Sequence, residues 1–467
     1  MTPPASTLVC AGCGAPAPTT DAFPFRCSRA DAGDDVDHLL RRRLDPGRVD
    51  YPLGAEANPF LRYRTLLHSY HSARARGESD AAFAARVERL DRAVAAVDGR
   101  GFRVTPLAAA DRLAGELGLG AGQLFVKDET GNVSGSHKAR HLMGVLLHLE
   151  GAAVAPAGAG APRLAIASCG NAALAAAVLA RAAGRPLDVF VPPWAHARVL
   201  ERLAALGARL ATCERSPGIA GDPCYHRFRA AVAAGAIPFC CQGPDNGLTI
   251  EGGATLAWEL IDALGARPLD RLFVQVGGGA LASACALGFA DAVRLGRLER
   301  APRLHAVQTA GGHPLARAYD RLAARLLARR PGAPPLDPAN RGPAAEFLRA
   351  EVGAEEVRAA LRRAATHRSE YMWPWESEPR SVATGILDDE TYDWLAVVEA
   401  MLTSGGYPVV ADEATLGAAH VLGREATGID ADPTGTAGLA GLMQALAAGA
   451  RWRDEAIAVL FTGARRS

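Results

Sequence analysis

Between residues 124 and 308 the chain repeats one texture: a short apolar run, a polar or glycine-containing turn, then apolar positions at helical spacing. Strands are predicted at 124–127, 163–168, 187–191 and 209–213, and helices at 137–150, 172–183 and 197–206. A second run predicts a helix over 253–264, a strand at 271–276, a helix over 281–295 and a strand at 304–308. Beyond a proline-rich stretch, 331–343, read as a surface excursion, helices are predicted over 344–365, 391–404, 411–427 and 437–448, with a last strand at 456–461. Strand and helix in alternation imply right-handed crossovers and parallel sheets covered on both faces. Ahead of this region, 1–50 reads as polar and irregular, and 58–98 as helical with a periodic stretch over 81–97.

At 467 residues the chain is long enough for two domains. A formal charge of +1, with no basic block larger than Arg41, Arg42 and Arg43, gives no general reason to expect nucleic acid. Apolar runs are interrupted before bilayer length, and Met1 to Cys10 lacks a charged-then-apolar leader, so a cytoplasmic protein is expected. Nine scattered cysteines suit buried thiols better than a disulfide framework. The lysine count changes the picture most. Of 51 basic residues only Lys127 and Lys138 are lysines. Where arginine has replaced lysine this thoroughly, a surviving lysine points to chemistry a guanidinium cannot do, such as forming an imine.

Three strand-to-helix turns carry candidate chemistry. Gly277-Gly278-Gly279-Ala280-Leu281 brings backbone N–H groups together at a helix start, where a phosphate fits; taken alone it is equally a tight turn. Ser168-Cys169-Gly170-Asn171-Ala172 repeats the arrangement and suits a substrate carboxylate, although Asn171 alone reads as a helix cap. Lys138, in Ser134-Gly-Ser-His-Lys-Ala-Arg140, opens a helix against the macrodipole, which favours the neutral amine that imine formation needs; the plain alternative is a solvated lysine. Near the start, Cys10, Cys13 and Cys27 read as ligands of a small zinc knuckle, with His38 or an aspartate of 31–37 as the fourth, against a reduced leader without metal.

In order, Lys127-Asp-Glu-Thr with Ser134 to Arg140, Ser168-Cys-Gly-Asn171, Ile250-Glu-Gly-Gly-Ala-Thr255 with Glu259, Val276 to Leu281, Asp432-Pro-Thr-Gly-Thr-Ala437 and Val459-Leu-Phe-Thr-Gly463 resemble the landmarks of fold-type-II pyridoxal-phosphate (PLP) enzymes. The resemblance covers roughly 100–467 and is nearest to threonine synthase and the threonine and serine dehydratases. It implies two open, twisted α/β domains with helices on both faces of parallel sheets: a large one from 51–134 and 246–467, a small one inserted at 135–245, and the cofactor between them, behind an N-terminal segment of 1–50.

Carried over by residue, the resemblance makes Lys138 the Schiff-base lysine and proton shuttle, and Asn171 the partner of the cofactor's phenolic oxygen. It gives the substrate carboxylate to Ser168 to Ala172, the cofactor phosphate to Gly277 to Leu281, and the pyridine nitrogen to Thr462. A neutral hydroxyl there implies a weak electron sink, favouring elimination or replacement on a small amino acid through an aminoacrylate-type species over transamination. Lys138-Ala-Arg140 and Ala172-Ala173 depart from threonine synthase, where an aspartate and hydroxyls are usual, leaving O-phosphohomoserine as the alternative substrate and an inactive regulatory or carrier-binding protein as a second alternative. The resemblance also implies a dimer. Met372-Trp-Pro-Trp-Glu376, just before a stretch resembling the family's substrate loop, reads as core or pocket.

Overall fold

The computed structural model describes residues 5–19, 21–31, 33–154, 161–215 and 221–466. Among these residues the strands form three sheets. The first, antiparallel, has β1 (Ser6–Cys10) between β2 (Pro16–Ala17) and β3 (Leu40–Leu44). The largest runs β12 (Val409–Ala411), β11 (Arg303–Thr309), β10 (Arg271–Gln275), β13 (Ile457–Phe461), β5 (Leu124–Asp128), β4 (Leu107–Ala109); only the β4–β5 pair is antiparallel. A separate parallel sheet runs β8 (Arg209–Thr212), β7 (Leu187–Val191), β6 (Leu164–Ala167), β9 (Ile237–Pro238). The parallel sheets read from the apolar runs are therefore present. No helix among the described residues is long and apolar enough to cross a membrane.

Register decides where chemistry can gather. Phe461 pairs with Asp128 and Val459 with Phe273, so β5, β10 and β13 end at one edge, and the loops that follow them share the crevice where open α/β sheets hold ligands. Beneath that edge lies a buried charged network. Lys127 Nζ donates to Glu259 at 2.6 Å and to the Thr105 carbonyl at 2.7 Å, while Arg140 forks onto Glu129 at 2.8 and 2.9 Å and reaches Glu259 at 2.6 Å. All four charged side chains are fully buried.

Three expectations need correction. The segment read as irregular holds a sheet at Ser6–Cys10, Pro16–Ala17 and Leu40–Leu44, because Leu40, Arg42 and Leu44 turn one face of β3 inward and Asp291 neutralises the buried Arg42. The helix expected over 411–427 is preceded by β12 and begins at Glu413, where Asp412 Oδ1 caps it by accepting from the Thr415 amide at 2.7 Å. The helix expected over 344–365 is two, Gly342–Glu351 and Ala354–Ala365, parted at Val352 and Gly353.

Candidate active site

Lys138 is the first residue of the Lys138–Gly151 helix. The turn before it is strained. Ser134 has φ +55° and Gly135 φ +70°, conformations an L side chain rarely adopts. Ser134 is held at its amide by Asp98 Oδ2 at 2.8 Å, and the Ala464 amide donates to the Gly135 carbonyl at 2.9 Å. The His137 amide donates to the Thr462 carbonyl at 3.1 Å, and a bridge joins Ser136 to Gly463. Backbone bonding thus lays the lysine turn along the end of β13, beside Thr462.

Thr462 is buried, and its Oγ1 accepts from Gln275 Nε2 at 2.6 Å. The same Nε2 faces the Gly435 carbonyl at 2.8 Å and the Leu460 carbonyl at 3.2 Å, acceptors that fix which end of the amide carries hydrogens. Since Gln275 donates, the Thr462 hydroxyl keeps its own hydrogen for another acceptor, as an unprotonated pyridine nitrogen requires.

The Gly277–Leu281 loop joins β10 to the Ala280–Arg294 helix, with Gly279 at φ +96°. Residues 386–393 pack against it so closely that a Cβ on Gly277 would meet Asp388 Oδ2 at 2.3 Å, and one on Gly278 the Tyr392 ring at 2.8 Å. Burial pushes the Asp388 carboxyl up to about 6, against the pull of the Lys138 charge and the Gly278 amide, and Asp389 and Asp222 push it further. Burial likewise pushes the neighbouring Asp389 up.

Asn171 opens the Asn171–Ala182 helix, directly after β6 and the half-buried turn Ser168, Cys169, Gly170. Its Oδ1 accepts from Arg466 at 2.9 and 2.8 Å. Burial and the nearby Asp222 carboxylate raise the Cys169 thiol. Burial, reinforced by the charge of Lys138, holds His137 well below the usual imidazole range and brings His141 down to about 3, so both rings are neutral. His141 Nδ1–H donates to the Thr249 carbonyl at 2.7 Å.

These contacts bring the elements carrying Lys138, Asn171, Gly277 to Leu281 and Thr462 together, and their donors suit the expected group: an amine, a glycine loop at a helix start, an amide and a free hydroxyl hydrogen. Gln275, Asp388 and Arg466 escaped the sequence reading. Gln275 left a faint signal, as the polar residue closing an apolar strand before the glycines; Arg466 left none. A cavity of about 1060 Å³ beside β3 and the Ala280–Arg294 and Trp394–Ser404 helices is lined by none of Lys138, Asn171, Gly277 to Leu281 and Thr462.

A second cluster lies in the N-terminal sheet. One ligand atom each from Cys10, Cys13, Cys27 and His38 falls within 4.8 Å of the others, with Cys10 Sγ 3.4 Å from His38 Nδ1. Asp34 Oδ2 lies 2.8 Å from His38 Nε2, holding the hydrogen there and leaving the Nδ1 lone pair toward the thiols. Among the described residues, His38 and no aspartate of 31–37 completes the set.

Residues 100–374 match the family described as pyridoxal-phosphate dependent enzyme. The chain is 27% identical over 367 residues to a threonine synthase of Methanosarcina acetivorans, covering 77% of this chain and 74% of the relative. It is 26% identical to one of Mycobacterium tuberculosis, covering 77% and 80%. Among solved structures, threonine deaminase isoform 2 from Solanum lycopersicum superposes with TM-score 0.56 at 15% identity over 82% of this chain and 90% of that one. Maize serine racemase gives 0.55 at 18% over 82% and 94%. These two establish the fold.

Proposed function

The chain belongs to the pyridoxal-phosphate dependent enzymes, and from that premise we propose that it catalyses elimination or replacement on a small, unphosphorylated amino acid, by dehydration and deamination of a hydroxy amino acid or by β-replacement. The observation that carries this is the Gln275–Thr462 pair, which offers the cofactor's ring nitrogen a hydroxyl hydrogen and no carboxylate. When bound, PLP supplies an electron sink that makes the substrate's Cα–H acidic; one without a protonated ring is weak, so expelling a leaving group outruns transamination.

Lys138 binds the cofactor and moves the Cα proton with its amine. Ser168 to Ala172 would orient the substrate through backbone N–H groups at the helix start, and one Asn171 N–H would serve the cofactor's phenolic oxygen. The glycine loop would hold the cofactor phosphate. Burial, with the charges of Asp389 and Asp222 adding to it, raises the Asp388 carboxyl, and acidic side chains gathered beside the glycine loop oppose a second phosphate on the substrate.

A screen with L-serine, L-threonine and O-phospho-L-homoserine tests the reading. Keto-acid release from the first two is expected; phosphate release from the third as the fastest reaction would favour threonine synthase instead. Thr462→Asp is expected to keep the cofactor while raising the share of turnovers that leave it as pyridoxamine phosphate, measured by chromatography. Wild-type partition in that variant would contradict the placement of the ring nitrogen.

We also take Cys10, Cys13, Cys27 and His38 as a structural zinc site, since four protein ligands leave no open position for catalysis. Metal analysis should find about one zinc per chain. Cys13→Ser should lose it and loosen the N-terminal sheet in hydrogen exchange. A homo-oligomer, most simply a dimer, accompanies this reading, and sedimentation checks it.

A further inference from the structure

Arg466 lies outside every motif of the family resemblance, yet its guanidinium joins the segments that carry the candidate cofactor residues. Its Nε and Nη2 donate to Asn171 Oδ1 at 2.9 and 2.8 Å, and Nη2 also donates to the Ser134 carbonyl at 2.6 Å. Ser134 is the left-handed residue of the turn that delivers Lys138. With Asp98 on its amide and Arg466 on its carbonyl, the strained residue is gripped at both ends.

The chemistry of the bond fixes an orientation. An asparagine amide presents two nearly isosteric ends, one accepting and one donating, and a guanidinium only donates. Beside Arg466 the carbonyl end of Asn171 must therefore face the guanidinium, which turns the NH₂ end the other way. That end lies against Gly463, where a Cβ would stand 2.7 Å from Nδ2, and toward the Asp432 carboxyl, which accepts from the Gly435 amide. An amide nitrogen has two hydrogens. Even with one turned to the Asp432 carboxylate, one remains for a ligand. The reversed amide would set its oxygen against Asp432 and against any anionic oxygen in the crevice, losing the attraction twice.

We propose that Arg466 is a positioning residue that holds the Asn171 amide with its NH₂ end toward the cofactor's phenolic oxygen and braces the turn before Lys138. The proposal rests on reading Asn171 as a cofactor ligand. Glycine at 463 belongs to the same device, because any side chain there would displace the Asn171 nitrogen.

A double-mutant cycle read by cofactor binding tests it. Apo-protein carrying Arg466→Ala, Asn171→Ala or both is titrated with PLP, and affinity is read from absorbance. Arg466→Ala should weaken binding by roughly tenfold, as loss of a charged hydrogen bond does. Asn171→Ala should weaken it at least as much, and the double variant by clearly less than the two losses combined, because only the brace on the Ser134 carbonyl is left for Arg466 to lose once Asn171 is gone. Arg466→Lys, which keeps donors, should recover part of the loss. Additive losses, or an unchanged Arg466→Ala, would overturn the role of Arg466 while leaving the reading of Asn171 intact. Unchanged affinity in Asn171→Ala would overturn that reading and the proposal with it.

Discussion

Lys138→Ala is expected to abolish covalent retention of PLP and to lower turnover at least ~10³-fold, because one amine serves as both the attachment point and the base that moves the Cα proton. The chain makes the assignment nearly binary. Its only other lysine, Lys127, is fully buried and spends its ammonium on Glu259 and the Thr105 carbonyl. Borohydride reduction of the PLP-loaded protein, followed by peptide mapping, should therefore mark the Lys138 peptide alone. A mark on Lys127 would move the site from this helix start to β5 while keeping the cofactor. The absence of any marked lysine, with normal PLP content, would contradict imine chemistry in this chain. Lys127→Arg serves as the control and should keep the mark on Lys138, since an arginine still pairs with Glu259.

The strand-to-helix turns were legible because each depends on local sequence. An apolar run long enough for a buried strand ends in glycine or asparagine, and a helical period begins at once, as at Gly277 and Asn171. Parallel pairing then brings such turns to one edge without any further instruction from the side chains. The N-terminal sheet was not legible. Its third strand, Leu-Arg-Arg-Arg-Leu, alternates correctly for one buried face, but the buried position is Arg42, and only the distant Asp291 makes that tolerable. The fourth member of the thiol cluster was left open between His38 and an aspartate, since the choice depends on Asp34 bonding the far side of the ring. Gln275 and Arg466 act through partners 187 and 295 residues away, distances at which no spacing rule operates.

The largest expected effect on stability comes from the network under the site. Glu259→Gln leaves Lys127 buried with neutral acceptors but no counter-charge and strips Arg140 of a second carboxylate, and breaking a buried pair from one side costs about 3–5 kcal/mol. Lys127→Met should cost a comparable amount. The two together should cost clearly less than their sum, because the second change removes the charge that the first left stranded. Urea unfolding of the cofactor-free protein measures all three, separating this effect from the stabilisation that bound PLP adds. Acid should reproduce the loss. Burial alone would raise the Glu259 carboxyl, but the Arg140 and Lys127 charges outweigh it and hold the group below its ordinary 4.5. A carboxyl depressed in the folded state contributes its full stability above the unfolded value and loses it as pH falls through the folded one. Wild-type stability should therefore drop steeply below about 4.5, while Glu259→Gln, already without the carboxylate, should fall less over the same window. Parallel pH profiles for the two proteins would show that Glu259 does not hold this network together.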